Sequence, residues 1–510
     1  MKLATLTLLL SMSVFVSGCR TAPDTHTPAQ RARADQPIAW QPWSAEVFVR
    51  AAREDRLVLL YMEAVWCHWC HVMDHDTYGD GAVAALVAKG YIPVKVDSDA
   101  RPDLANRYRR WAWPATIIIA PDGREQVKRK GFVDAPEFAA LLEVTWANRH
   151  ATIKDVEGPV AYAVSPTLDP STRATLVARH RDSYDTRHSG LRTKKKSLDI
   201  DSLDFAMGHG EVRRAKETLD AGLQLIDPVW GGVYQYSHGA VWTNPHYEKL
   251  ATRQAAVLGL YARASATLGE TRYLKAANSI AGYVNTFLSS DDGAFYVSQD
   301  ADVVQGRKAT AYFALNDAER RAVGIPAVDT HRYTRETADV ARALVQLHAV
   351  TEDEATLARA VKAASWIQTA RPLPDGGFAH GSDDAGGPFL ADNLAAGRLF
   401  LALYEATRAT SWLEAAEAAA DFITRSFKRV DGPGLPTATR AAAGVILPAL
   451  RLDENMSAAR FAAHRATITG DSRHLVLAKR AMRWLVTPDI ALRRMTEPGI
   501  LTAAEALDRQ

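Results

Sequence analysis

Two cysteines separated by two residues, each followed at once by a histidine, stand out in this 510-residue chain. The stretch is Ala-Val-Trp-Cys-His-Trp-Cys-His-Val-Met-Asp-His-Asp, residues 64–76. A Cys-x-x-Cys at the start of a helix makes a redox dithiol. The first sulfur lies over unpaired backbone N–H groups, which stabilise thiolate and lower its pKa. On this reading Cys67 is the exposed nucleophile and Cys70, one turn on, is shielded and resolves the mixed disulfide. His68 adds to thiolate stabilisation, while Trp66 and Trp69 offer flat apolar surface to a substrate chain. The same letters spell C-x-x-C-H, the c-type haem attachment site. His71 is then the proximal ligand, but Met73 is too near in sequence to reach the opposite face. Cys67, His68, Cys70, His71 and His75 are also metal-ligand types. Adjacent ligands in one helical turn point different ways, which disfavours a closed tetrahedral site. A fixed structural disulfide is the fourth reading. The dithiol is preferred, no cofactor or metal is called for, and His71 is left without a role.

The surrounding elements support the dithiol. Residues 56–64 form a continuous apolar run of strand length, the kind that a sheet covered on both faces buries. A helical pattern precedes it from Ser44, placed as an N-cap, and another follows the cysteines. Residues 91–97 read as a second strand. The stretch 114–123 holds a third, which ends in the turn Pro121-Asp122-Gly123, and residues 135–149 close as a helix. Pro114 directly precedes the third strand, an ordinary place for strand punctuation. Thioredoxin-like folds place a cis-proline there, so resemblance to them sets Pro114 across the sheet from the dithiol.

Beyond residue 200 the pattern is helical, with an internal repeat. Four connectors have related spelling at 268–274, 351–357, 407–413 and 469–475. Each joins two amphipathic helices into an antiparallel hairpin. Gly-rich loops with aromatic neighbours separate the hairpins, as in Trp-Gly-Gly-Val-Tyr and Asp-Gly-Gly-Phe-Ala-His-Gly. Such hairpins build a solenoid or a closed α/α toroid, and the loops favour the toroid, where they gather at one mouth.

Composition narrows the function classes. With 61 basic and 59 acidic residues the net charge is +2, so no global field draws nucleic acid. The basic run 187–196 is expected to be a solvated loop. Cys19, Cys67 and Cys70 are the only cysteines. Residues 3–16 form an apolar run too short for a comfortable membrane helix and shaped like an export signal. Its end, Val16-Ser17-Gly18-Cys19, resembles the bacterial lipobox, which implies lipidation at Cys19. Residues 20–38 lack an apolar period and read as a flexible tether. The expectation is a lipoprotein facing the periplasm, held by its lipid alone, with outer membrane favoured over inner. Arg20 after the cysteine resembles outer-membrane sorting.

Residues 65–73, 91–108 and 111–123 resemble the N-terminal thioredoxin-like domain of the DUF255 family, which includes the spermatogenesis-associated protein 20 group. Residues 227–250, 293–302 and 452–461 resemble that family's C-terminal six-hairpin toroid, itself similar to those of glycosidases and N-acylglucosamine 2-epimerases. The chain departs from the family pattern in two places. Thr252-Arg253-Gln254 stands where Tyr-Asp-Asn is common, and Gln305-Gly306 where Glu-Gly is usual, so two carboxylates are missing. In sugar-active toroids, inner-helix ends and mouth loops line a central pocket. The resemblance offers His246, Glu248, Asp300, Asp302, Asp392 and Glu454 for it. Paired carboxyls serve glycoside hydrolysis and proton-moving groups serve epimerisation. Alternatively, His246 and Glu248 only brace the mouth loops, with Lys249 as their partner.

The expected architecture is multidomain, an α/β thioredoxin-like domain followed by an all-α toroid. It comprises a signal (1–18), a tether (19–38), the thioredoxin-like domain (39–150), a linker with the first toroid helices (151–200), the toroid (201–495) and a C-terminal tail (496–510). The leading function is an envelope-anchored thiol–disulfide oxidoreductase acting on envelope proteins that carry thiols or disulfides, with the toroid as binding domain. The alternatives are a carbohydrate-active toroid that takes a glycan, and a non-enzymatic binding lipoprotein with a fixed disulfide.

Overall fold

The computed structural model describes residues 37–151, 160–382 and 386–510. The expected signal, Cys19 and most of the tether lie outside them. Among the described residues no helix is long and apolar enough to cross a membrane.

The N-terminal domain runs α1 (Ala45–Glu54), β1 (Leu57–Glu63), α2 (His68–Asp76), α3 (Gly81–Gly90), β2 (Tyr91–Asp97), α4 (Pro102–Tyr108), β3 (Ala115–Ile119), β4 (Glu125–Lys130) and α5 (Ala135–Ala147). The sheet order is β2-β1-β3-β4. β1 pairs in parallel with β2, and β3 pairs antiparallel with both β1 and β4. All seven residues of β1 are buried. Its alternation divides two cores. Leu57, Leu59 and Tyr61 pack with α2, α3 and α5 on one face. Val58, Leu60 and Met62 pack with α1 on the other, where Ala442 and Ile446 of a toroid loop join them. One core is therefore shared between the two domains. β4 was not expected, because Glu125-Gln-Val-Lys-Arg-Lys130 carries the charge of an edge strand rather than the apolar run of a central one.

The remainder is a ring of helical hairpins. Its inner helices are α7 (Ile200–Gly208), α9 (Ala251–Leu268), α11 (Thr334–Thr351), α13 (Leu390–Thr407), α15 (Leu452–Thr469) and α17 (Pro498–Asp508). Each packs on the next, and α17 packs on α7, so the ring closes. The outer helices are α6 (Pro170–Asp182), α8 (Val212–Gly222), α10 (Thr271–Phe287), α12 (Glu354–Ala370), α14 (Thr410–Ser426) and α16 (Leu475–Leu485). The four repeated connectors fall at the ends of α9, α11, α13 and α15. They share a physical cause: each helix stops at a left-handed residue, Gly269, Glu352, Arg408 and Gly470. Each of these donates its N–H to the carbonyl four residues back.

The expected C-terminal tail is corrected. Residues 498–508 form the sixth inner helix, and Ile500, Leu501, Ala503 and Ala504 are buried in the ring. The basic run is also more than a solvated loop. Lys196 is buried, with its ammonium donating to Asp185 Oδ2 at 2.6 Å and to the carbonyls of Ser189 and Leu191.

Candidate active site

The strand β1 delivers the chain to Cys67, which is the N-cap of α2. Its sulfur accepts the Cys70 N–H at 3.2 Å. Cys67 and Cys70 are joined as a disulfide. The expectation of an exposed Cys67 is corrected: it is 4% exposed and Cys70 is fully buried. Both pack in the N-terminal domain's own core, in one cluster with Tyr61 and Met73. Cys67 opens instead into a cavity of about 300 Å³ between the two domains.

The N-terminal domain contributes Trp66, His68, Trp69, Asp99 and Trp113 to this cavity, among others. Trp66 is largely buried, and its indole N–H donates to Asp99 Oδ2 at 2.7 Å. Trp69 is 39% exposed and stays partly open to solvent. Pro114 follows Trp113 through a cis peptide and enters β3. Its neighbours Ala112 and Trp113 share the cavity wall with Cys67.

The toroid presents the N-terminal ends of its inner helices to the same space. His246, Glu248, Arg335, Glu336, His380 and Asp392 line it. His246 stacks on Tyr236, with ring centroids 4.3 Å apart. Burial pushes its pKa down to about 4, so it is neutral near pH 7. Burial pushes Glu248 up to about 7. The two approach to 3.9 Å. Lys249 is not their partner: it turns inward to Asp227 at 2.8 Å. Lys195, from the basic run, also reaches the cavity and sits 4.2 Å from the Tyr236 ring centroid.

Asp392 accepts the Arg335 backbone N–H and pairs with His380 Nδ1, both at 2.9 Å. The other ring nitrogen of His380 donates to the Asp99 carbonyl at 2.8 Å, across the domain boundary. Glu454 is not among the residues lining the cavity. It accepts from Asn106 Nδ2, which is, at 3.1 Å, and burial raises its pKa to about 7. Beside it, Arg109 of the N-terminal domain bonds Asp453 at 3.1 Å.

Asp300 and Asp302 go elsewhere, to the histidines of the Cys-x-x-Cys segment. His68 Nδ1 lies 2.9 and 2.8 Å from the two oxygens of Asp302. His71 lies against both aspartates. Burial alone would lower the His71 pKa, but Asp302 and Asp300 outweigh it and the net shift is upward. The residue left without a role by sequence therefore faces the toroid. His380, Arg335 and Glu336 were not found from sequence. They sit on a loop and a helix start whose convergence depends on ring closure.

His380 gives a pH prediction. Burial lowers its pKa, but the Asp392 carboxylate outweighs this and carries it to about 9. A histidine raised in the folded state stabilises fully below its ordinary value of about 6.5, and that contribution fades as pH rises through the folded value. His380→Gln is therefore expected to destabilise most in mild acid. The gap in urea midpoint between the parent and this variant should narrow from pH 6.5 to 9.

Residues 23–156 match the family model described as Protein of unknown function, DUF255 (Thioredox_DsbH). The chain is 25% identical over 310 residues to Uncharacterized protein B0495.5 of Caenorhabditis elegans, covering 53% of this chain and 42% of that protein. It is 24% identical over 310 residues to Spermatogenesis-associated protein 20 of Homo sapiens, covering 53% of this chain and 39% of that protein. The matched region thus spans about two-fifths of these relatives' length. A crystal structure of D-mannose isomerase superposes with a TM-score of 0.50 at 12% identity, covering 69% of this chain and all of that one. At that identity the likeness is one of fold.

Proposed function

Starting from a DUF255 thioredoxin-like domain, homologous to spermatogenesis-associated protein 20 and joined to an α/α toroid, we propose that this chain is a thiol–disulfide oxidoreductase. One observation carries the reading: the Cys67–Cys70 pair lies at the start of α2 and opens into the interdomain cavity. From the oxidised state a substrate thiolate attacks Cys67 Sγ, and Cys70 leaves as thiolate. A second substrate thiolate then attacks the substrate sulfur of the mixed disulfide and expels Cys67. The substrate loses two electrons as its disulfide forms, and Cys67 and Cys70 end as thiols holding two protons. The reverse sequence reduces a substrate disulfide, and relative potentials set the direction. The start of α2 stabilises thiolate at Cys67 in either case.

The enclosure of Cys67 restricts the substrate. A folded protein face cannot reach a 4%-exposed residue, whereas a small thiol or an extended cysteine-bearing segment fits the cavity. The partners proposed are envelope proteins offering such a segment, met by a lipid-anchored protein facing the periplasm, with outer membrane favoured over inner. The test is exchange between the oxidised chain and three thiols: glutathione, a short cysteinyl peptide and a folded protein with a surface cysteine. Exchange is expected with the first two and not the third. No exchange with any of them refutes the reading.

A second reading rests on His246 and Glu248. A neutral imidazole stands 3.9 Å from a carboxyl that titrates at about 7. Such a pair can move protons near neutral pH, and the fold is shared with D-mannose isomerase. On this reading the toroid isomerises or hydrolyses an envelope sugar. His246→Ala and Glu248→Gln should then each lower turnover by at least about 10²-fold. Unchanged turnover in both would exclude this role for the pair.

A further inference from the structure

His71 is buried on α2, one residue past Cys70, and the redox chemistry does not use it. Its Nε2 stands 3.0 Å from the Val65 carbonyl. A carbonyl only accepts, so Nε2 carries the hydrogen and donates it. Nδ1 points the other way, to Asp302 Oδ2 at 3.5 Å and Asp300 Oδ2 at 3.7 Å. His71 Nδ1 and Asp300 Oδ2 are both buried and make no hydrogen bond. Their side chains are only 8% and 2% exposed.

These separations discriminate between two ways of satisfying the atoms. A proton shared between Nδ1 and a carboxylate draws the pair to about 2.7–2.9 Å, as it does between His68 and Asp302. Ligand atoms held about 2.1 Å from a tetrahedral ion stand about 3.4 Å from one another. The two separations from His71 Nδ1 are close to the second spacing, and the three candidate ligand atoms lie within 4.8 Å of one another.

Their supports are those of a ligand set. The hydrogen bond to the Val65 carbonyl fixes the His71 tautomer with Nδ1 free, as for a metal-bound histidine. Asp300 Oδ1 accepts the Asp302 N–H at 3.0 Å, which leaves Oδ2 directed at His71. Asp302 Oδ2 accepts the Gly306 N–H at 2.9 Å. Gly306 has φ +77°, a conformation that glycine adopts freely.

We propose that His71, Asp300 and Asp302 bind a first-row divalent metal ion, with zinc the representative case. The ion ties the helix of the dithiol to the toroid. The imidazole is what favours zinc and its neighbours over calcium or magnesium, which take oxygen ligands. The site uses neither cysteine, so it stands whether or not the disulfide is redox-active.

The test uses the full chain stripped with chelator and then given Zn²⁺ or Co²⁺. The expected result is one ion per chain, with a higher melting temperature than the stripped protein. Binding should be lost in His71→Ala and in Asp300→Asn, and kept in Cys67→Ser/Cys70→Ser. If the single variants do not fold, the Co²⁺ spectrum of the parent decides. Ligand-field bands without a thiolate charge-transfer band support the site. A parent that binds no ion, binding undiminished in both single variants, or a thiolate band would each overturn it.

Discussion

Cys67→Ala is expected to reduce thiol–disulfide exchange to the rate of the reagents alone, while Cys70→Ser turns the protein into a trap. The two cysteines differ in placement. Cys67 caps α2 and lines the cavity, whereas Cys70 lies one turn deeper with no exposed surface. A substrate thiol can reach only the first. With Cys70 replaced, the mixed disulfide at Cys67 has no neighbouring thiol to resolve it. Cys19 is the only other cysteine, so a Cys19→Ser background removes the one competitor. Intact-mass measurement should show Cys70→Ser gaining one substrate adduct from a small disulfide and Cys67→Ala gaining none. Adducts on Cys67→Ala but not on Cys70→Ser would reverse the assignment of attacker and resolver.

Asp227→Asn is expected to destabilise the toroid by about 3–5 kcal/mol, the range for removing one partner of a buried ion pair. One oxygen, Asp227 Oδ2, accepts from Lys249 Nζ at 2.8 Å and from Arg320 Nη1 at 2.7 Å. All three side chains are at most 1% exposed. Burial alone would raise the Asp227 pKa, but Lys249 and Arg320 outweigh it and hold the carboxyl below its usual range. Asparagine keeps the volume and removes the charge, leaving two cations buried together. Lys249 immediately follows Glu248 and precedes α9, so the loss also loosens the cavity wall carrying His246 and Glu248. The measurement is urea denaturation of parent and variant. A fall in midpoint with unchanged slope is expected, and a change below about 1 kcal/mol would show that water or another group solvates the cations.

Local pattern carried much of the architecture. The period-3.6 helices and their four connectors were readable because each hairpin buries its own apolar stripe. β1 was readable because seven consecutive residues are buried. What escaped depends on long-range closure. α17 looked like a tail because its partners, α15 and α7, lie far away in sequence. The Asp227 partner of Lys249 is 22 residues distant, whereas chain proximity alone favours the adjacent Glu248. The resemblance supplied all six toroid candidates, but it did not sort them. His246, Glu248 and Asp392 line the cavity, Asp300 and Asp302 meet the dithiol's histidines, and Glu454 lies at the domain boundary.

Cys67–Cys70 is proposed to cycle between disulfide and dithiol. The direct test is its reduction potential, read as the fraction of reduced pair across graded thiol–disulfide buffers. A cycling pair is expected to show a reversible two-electron transition above about −300 mV, in the range of exchanging thioredoxin-like pairs rather than of structural disulfides. A pair that stays oxidised until well below that value, or that cannot be reduced without unfolding the protein, would contradict it.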